Sequence, residues 1–244
     1  METVAILSDI HGNMDALEAV FEDIEDSGAA EVHCLGDCIG YGSEPDRVIS
    51  SLLDKGIVSV MGNHDLAATR PEYLQWFNPV ARRSLILSLK WLQPRHLRYL
   101  EELEPCRVVH GARLVHGFPP DSPLTYLFQM HGEKLLRAME TMEESLCFVG
   151  HTHDLELIDF DFESRSVSRY ELSQGTVHMA PGHRYIVNIG SVGQPRDGNN
   201  NAKYLLWRPE ERTLDIRFVS YNARSAADKI LRAGLPSTHA HRLL

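Results

Sequence analysis

Short, largely apolar runs recur along the first 150 residues, at 4–7, 32–35, 57–61, 113–115 and 146–149. Near-continuous apolar runs of this length suit strands of a sheet covered on both faces. Between the first three the period changes from strand to helix. Met14, Leu17, Val20, Phe21 and Ile24 share one helical face, with Asn13 as the cap and Gly28 as the stop. Ser43-Glu44-Pro45-Asp46 opens a second helix that carries Val48, Ile49, Leu52 and Leu53 inward and stops at Gly56. Strand, helix, strand, helix, strand through Met61 predicts a right-handed βαβ series.

The pattern then becomes helical. Asn78-Pro79 opens a helix to about Leu92, and Pro94 restarts another to about Leu103. Cys106-Arg107-Val108-Val109 and Arg113-Leu114-Val115 flank a His110-Gly111-Ala112 turn, as in a hairpin. A loop at 119–123 follows His116 and is placed to edge a pocket there, and a helix over 132–144 leads to the fifth run. Alternating strands are expected at 155–162, 166–172, 185–189, 203–208 and 213–221, forming a second sheet from the C-terminal half that packs on the first. A closing helix spans 223–234, and 236–244 reads as a weakly specified tail. With no internal repeat or linker-like stretch, residues 1–244 are expected to form one domain with a small helical cap inserted at about 70–105.

Polar residues cluster where the apolar runs stop. The five ends read Ser8-Asp9-Ile10-His11, Gly36-Asp37, Gly62-Asn63-His64-Asp65, His116-Gly117 and Gly150-His151-Thr152-His153. Open α/β sheets bind ligands at the carboxyl ends of their strands, so these ends imply one shared pocket. Alternate residues of a strand share a face, so Asp-x-His and His-x-His each point two ligands the same way. Asp9, His11, Asp37, Asn63, His116, His151 and His153 exceed the four ligands that one zinc takes. Two ions about 3.5–4 Å apart that share a carboxylate resolve the excess. Mixed oxygen and nitrogen donors without thiolate suit manganese, iron, zinc or cobalt.

Composition narrows the setting. The formal charge of -10 argues against general nucleic-acid or acidic-membrane binding, which needs a basic surface. Two divalent ions would nonetheless let an acidic chain take an anionic substrate, because they invert the local field. Cys34, Cys38, Cys106 and Cys147 form no CxxC pair and fit a reducing compartment. Asp9 interrupts the first run too early for a signal peptide, so a cytoplasmic location is expected. The segment 70–105 carries six cations against four carboxylates, a net +2. It reads either as a solvated helical pair or as a cap that draws anionic substrate inward.

In order and spacing, the five fragments resemble the calcineurin-like metallophosphoesterase superfamily, near its small bacterial phosphodiesterase and diadenosine tetraphosphatase-related branch. The resemblance implies a four-layer α/β/β/α sandwich. It makes Asp9, His11 and His153 ligands of a first metal, and Asn63, His116 and His151 ligands of a second, with Asp37 bridging both. It sets His64 beside the scissile phosphate, oriented by Asp37, to stabilise or protonate the leaving oxygen. A water shared by the ions would lose its proton near neutral pH and attack phosphorus in line. The implied substrate is a small phosphoester: a phosphodiester, or a nucleotide-type compound such as a dinucleoside polyphosphate.

The chain departs from one branch. Protein serine/threonine phosphatases and the symmetrical diadenosine tetraphosphatases carry an arginine close behind the bridging aspartate, whereas here the box reads Gly36-Asp37-Cys38-Ile39-Gly40-Tyr41-Gly42. Their Gly-Asn-His-Glu is Gly62-Asn63-His64-Asp65 here, so a phosphoprotein substrate is the alternative, and a non-catalytic scaffold on the same fold is another. Asn188-Ile189-Gly190-Ser191-Val192-Gly193 resembles a Gly-Ser-Val-Gly segment of the small phosphodiesterases, and its turn would offer backbone N–H groups to an anion. Arg196 follows as a replacement phosphate clamp, or as a surface arginine. Tyr41 and Phe118 follow ligand motifs and would stack on a base or pack. His33 reads as an interior group, while His110, His131, His178, His183, His239 and His241 have no partner at ligand spacing apart from the 239/241 pair itself.

Overall fold

A computed structural model describes residues 2–244. The chain begins as expected, with β1 (Val4–Leu7), α1 (Met14–Ser27), β2 (Glu31–Cys34), α2 (Pro45–Asp54) and β3 (Val58–Ser59). Asn13 caps α1 by accepting the Ala16 N–H at 3.2 Å, and Gly28 ends it in the left-handed conformation. Next come α3 (Asn63–Thr69), a short 3-10 turn, α4 (Pro79–Leu89) and α5 (Pro94–Glu101). The hairpin β4 (Cys106–Val109) and β5 (Ala112–Val115) precedes α6 (Gly132–Thr141) and β6 (Leu146–Val149). Strands β7 (Leu155–Asp161), β8 (Ser166–Glu171), β9 (Gly175–His178), β10 (His183–Ile189), β11 (Ala202–Arg208) and β12 (Thr213–Val219) follow, then α7 (Ala223–Arg232) and α8 (Ser237–His241).

Two six-stranded sheets form, in the orders β3-β2-β1-β11-β12-β9 and β4-β5-β6-β10-β7-β8. The C-terminal half therefore does not make a second sheet by itself. β11 lies antiparallel against the free edge of β1, and β10 lies parallel to β6, so the later strands complete both sheets. Apolar alternation cannot choose between these arrangements, because both bury the central strands on two faces.

The layering explains the continuous apolar runs. In β1, Val4 and Ile6 join the core between the sheets with Phe148, Leu205 and Trp207, while Ala5 and Leu7 face Leu17 and Val20 of α1. In β6, Phe148 points between the sheets, while Cys147 and Val149 meet Leu135 and Met139 of α6. Helix, sheet, sheet and helix are thus four layers, and each central strand feeds two cores. Leu85 of α4 and Leu100 of α5 belong to the same core as α1 and α2.

Three elements were not legible in the sequence: α3, β9 and α8. The tail read as weakly specified is ordered, and Ala240 and Leu243 are buried against α7 residues Ala226 and Ile230. No helix among the described residues is long and apolar enough to cross a membrane.

Candidate metal centre

The strand ends of both sheets meet at one place. The Asp9 N–H donates to the Gly36 carbonyl at 3.1 Å, the His11 N–H to that of Asp37 at 2.9 Å, and the Gly150 N–H to that of His116 at 2.8 Å. Eight non-glycine residues take positive φ among the described residues, and five of them are Asp9, His11, Asp37, His151 and His153. Each such conformation costs on the order of 1–3 kcal/mol and persists only where the surroundings enforce it. Gly62 permits a close approach: a Cβ there would lie 2.1 Å from Asp37 Oδ1 and 2.2 Å from its amide nitrogen.

Asp9, Asp37, His11, His116 and His153 are each held by one atom and present another inward. Asp9 Oδ2 accepts the Ser8 hydroxyl at 2.6 Å and the His151 N–H at 3.0 Å, which leaves Oδ1 buried without a protein partner. Asp37 Oδ1 accepts the His64 N–H at 2.8 Å, while Oδ2 faces His11 Nε2 and His116 Nε2, each at 3.5 Å. His11, His116 and His153 donate their Nδ1 protons to the carbonyls of Ile39 (2.9 Å), Leu35 (2.9 Å) and Gln194 (2.5 Å). Fixing one ring nitrogen this way turns the Nε2 lone pair inward, as a metal-ligating histidine requires.

Two lobes result. In the first, His11 Nε2 and His153 Nε2 face each other at 3.1 Å, with Asp9 Oδ1 3.2 Å from His153 Nε2. In the second, His116 Nε2 lies 3.2 Å from His151 Nδ1 and 3.1 Å from Asn63 Oδ1. Asp37 Oδ2 borders both, through His11 and His116. Lone pairs of neutral imidazoles at such distances repel unless a cation or proton lies between them. The edge of a tetrahedron of donors about 2.0–2.1 Å from a metal is about 3.3–3.4 Å, so the donor set fits an ion in each lobe. All seven expected ligands are in these lobes.

The charge balance makes the same point. Burial pushes His151 down to about 3 and His153 down to about 4, so both rings are uncharged at neutral pH. Burial also opposes a charge on His116, but Asp37 and Asp9 outweigh it and raise the ring to about 10. Burial raises Asp37 as well, and the facing His116 and His64 outweigh it and hold the carboxyl below its ordinary range. A proton on His116 and a metal ion compete for the same electron pairs.

Asp65, the last residue of the Gly62-Asn63-His64-Asp65 motif, has a structural role that the motif alone does not reveal. It opens α3 and its carboxylate accepts the N–H groups of Asp37 (2.7 Å), Cys38 (3.1 Å) and Gly62 (3.1 Å). It therefore ties the Asp37 loop to the Asn63 loop. His64 is buried beside the lobes, but Asp37 does not orient its ring: His64 Nε2 lies 3.9 Å from Asp37 Oδ2, beyond hydrogen-bond reach. Edge contacts with Tyr41 (4.8 Å between centroids) and Phe77 (4.7 Å) fix it instead.

The lobes floor a cavity of about 290 Å³ bordered by Asp37, Asn63, His64, His151 and His153. Its walls are Tyr41, Trp76, Phe77, Asn78, Leu124, Tyr126 and Arg196. Tyr126 stacks on His151 with 3.7 Å between ring centroids. Arg196 reaches toward the Thr152 carbonyl and the Tyr41 hydroxyl, both at 3.4 Å, and has no carboxylate in ion-pair range among the described residues. Its charge is free for an anion.

Several expectations need correction. The backbone N–H groups of the Gly190–Gly193 turn are not offered to an anion. Those of Val192 and Gly193 donate to the carbonyls of Ser8 (3.0 Å) and Asp9 (2.9 Å), and the turn thereby carries the Gln194 carbonyl to His153. None of the cations of segment 70–105 borders the cavity, and Arg82 spends its guanidinium on the carbonyls of Gln75 and Phe77. The segment instead contributes Trp76, Phe77 and Asn78. Leu124 and Tyr126, just past the 119–123 loop, edge the cavity, and Phe118 lies in the core beside α6. His110 meets Glu31 at 3.0 Å, His183 meets Asp159 at 2.7 Å, and His239 packs on Tyr41 at 4.7 Å.

Comparison with known proteins adds to this geometry. A sequence model of the calcineurin-like phosphoesterase superfamily domain matches residues 2–212. An uncharacterized protein of Methanocaldococcus jannaschii is 31% identical, over 98% of this chain and 96% of its own. The crystal structure of a metallophosphoesterase from Sphaerobacter thermophilus is similar at 32% identity and a TM-score of 0.83, covering 99% of this chain and 98% of that one. A hypothetical protein from Pyrococcus horikoshii shares the fold, with a TM-score of 0.78 at 20% identity over 100% of this chain and 98% of its own.

Proposed function

The chain belongs to the calcineurin-like phosphoesterase superfamily, a family of metal-dependent hydrolases of ester bonds, and from that premise we propose that it uses a dinuclear centre to hydrolyse a small phosphoester. The substrate is a phosphodiester or a nucleotide-type compound such as a dinucleoside polyphosphate. One observation carries this reading: two donor lobes meet at Asp37 Oδ2 under a cavity walled by aromatic rings and one unpaired arginine. Asp9, His11, His153 and Asp37 would hold one divalent ion, and Asn63, His116, His151 and Asp37 the other. Bound there, manganese, iron, zinc or cobalt would activate water and neutralise phosphoryl charge.

The protein groups do the rest. Arg196 grips a phosphoryl oxygen pair with its planar fork, the role that the missing arginine behind Asp37 would otherwise fill. His64 lies against the cavity and hydrogen-bonds or protonates the leaving oxygen. Trp76 offers a flat face to a base or another apolar leaving group, while Tyr41 and Tyr126, whose rings pack on His239 and His151, wall the cavity. The cavity is the size of a single small-molecule site rather than a groove for a protein chain.

The test is a set of initial rates on chelator-stripped protein with manganese added back, over a monoester, a simple diester and a dinucleoside polyphosphate. Metal-restored turnover that is fastest on the diester or the dinucleotide supports the reading. Turnover confined to a phosphopeptide moves the substrate to the phosphoprotein class. No turnover on any substrate leaves the scaffold alternative standing.

A further inference from the structure

The last helix of the chain reaches the cavity wall. α8 lies beyond the span 2–212 that the family model matches, and its His239 is 5% exposed. The His239 ring packs on Tyr41 with 4.7 Å between centroids. The Tyr41 ring also meets His11 at 4.4 Å and His64 at 4.8 Å, and its hydroxyl lies 3.4 Å from the Arg196 guanidinium. Tyr41 sits in the connection between β2 and α2, so only its neighbours fix its ring. The same helix is anchored to the insertion: Leu87 and Trp91 pack on the cluster of α7 and α8 that includes Ala240 and Leu243. The cluster thus holds His239 against the Tyr41 side of the cavity.

We infer that His239 is a positioning residue, which sets the Tyr41 ring and, through the Tyr41 hydroxyl, the Arg196 guanidinium beside the metal-ligand lobes. The inference rests on the reading of Arg196 as the phosphate clamp. Without the His239 ring, one face of Tyr41 is free and the ring can turn outward. One of the two contacts that steady Arg196 then goes with it, which leaves the Thr152 carbonyl alone. The ligand lobes keep every one of these hydrogen bonds, which come from other residues, although His11 loses a ring contact. The loss therefore falls on phosphate binding rather than on metal content.

The experiment uses the full chain loaded with manganese, bis(p-nitrophenyl) phosphate as substrate and inorganic phosphate as competitor. For His239→Ala the expected result is a rise of about 5- to 30-fold in KM and in the phosphate inhibition constant, the factor equivalent to one or two kcal/mol. Metal content stays the same, and kcat changes by less than about 3-fold because a nitrophenolate leaving group needs little from His64, whose Tyr41 contact is loosened. His239→Phe, which keeps a ring against Tyr41, restores values near those of the parent. Adding His239→Ala to Arg196→Ala costs no more than Arg196→Ala does, because the two act on one contact. Tyr41→Phe, which spares the fold should His239→Ala not, raises the same two constants. Additive losses, equal losses for His239→Phe and His239→Ala, or a silent Tyr41→Phe overturn the inference. If the parent protein neither turns over the diester nor binds phosphate, the proposed function fails by itself. The positioning role is then read from a crystal structure of His239→Ala: displaced Tyr41 and Arg196 support it, and unmoved side chains overturn it.

Discussion

The histidines of the centre divide by what holds their second nitrogen. His11, His116 and His153 each spend Nδ1 on a backbone carbonyl, which fixes tautomer and direction together. His64 has no partner for Nδ1 among the described residues and is held by ring contacts alone. A side chain fixed by packing and lying outside the lobes suits a role on the substrate. His64→Ala should therefore keep the metals and lose on the order of 10²–10⁴-fold in kcat on a substrate with a poor leaving group. The loss should shrink on a nitrophenyl ester, whose leaving group needs little help. Metal analysis and kinetics on the two substrates check this, and an equal loss on both would assign His64 to charge stabilisation instead.

Among the elements, α3 shows how backbone and side chains cooperate. It begins where Gly62 lies against Asp37, and Asp65 in its first turn collects three N–H groups from two loops. Neither Gly62 nor Asp37 can retreat without breaking that clamp. Gly62→Ala should cost about 1–3 kcal/mol through overpacking and lower metal affinity with it. Thermal unfolding and metal titration measure the two effects, and an unchanged affinity would mean that the Asp37 loop adapts. A second joint ties α1 to the sheet. The Asp23 carboxylate accepts the Tyr204 hydroxyl at 2.6 Å and Arg217 N–H groups at 2.8 and 3.1 Å. The Arg217 hydrogen bonds hold Asp23 below its ordinary value, against the opposing effect of burial. Its folded pKa is lower than its unfolded one, so this stabilisation is present above the usual carboxylate range and is lost as pH falls through the folded value. Asp23→Asn should destabilise by about 1 kcal/mol at pH 7 and by progressively less below about pH 4. Melting curves across that range decide it, since a gap that stays constant in acid would place the contribution elsewhere.

For the molecule as a whole, the centre is a joint between the two sheets. Asp9, Asp37 and Asn63 follow strands of one sheet, whereas His116 and His151 follow strands of the other. An ion held by both sheets resists their separation, so metal binding should add to stability. Manganese at about 100 times its Kd contributes about 2.7 kcal/mol, which for a chain of this size is a rise in Tm of about 5–10 °C. Elemental analysis after reconstitution should give about two ions per chain. One ion per chain with full activity would exclude the dinuclear mechanism, and an unchanged Tm would exclude the ion as a structural joint.

The candidate ligand residues were legible because a strand that ends in a buried site must change from apolar to polar residues within one or two positions, as at Leu7-Ser8-Asp9 and Val149-Gly150-His151. Local patterning likewise determined α1, α2, the β4–β5 hairpin and strands covered on both faces, whereas the four layers were implied by the family resemblance. Sheet partners were not determined locally. β11 completes the sheet of β1 across almost the whole chain, and any strand apolar on both faces would satisfy the same periodicity. Nor could the sequence show that the Gly190–Gly193 turn spends its N–H groups on Ser8 and Asp9, that the basic helical segment turns aromatic rings to the cavity, or that His239 reaches Tyr41. These depend on which atoms meet after the two sheets close on each other. A periodic pattern records that a side chain is buried, and only the packed tertiary structure decides what it is buried against.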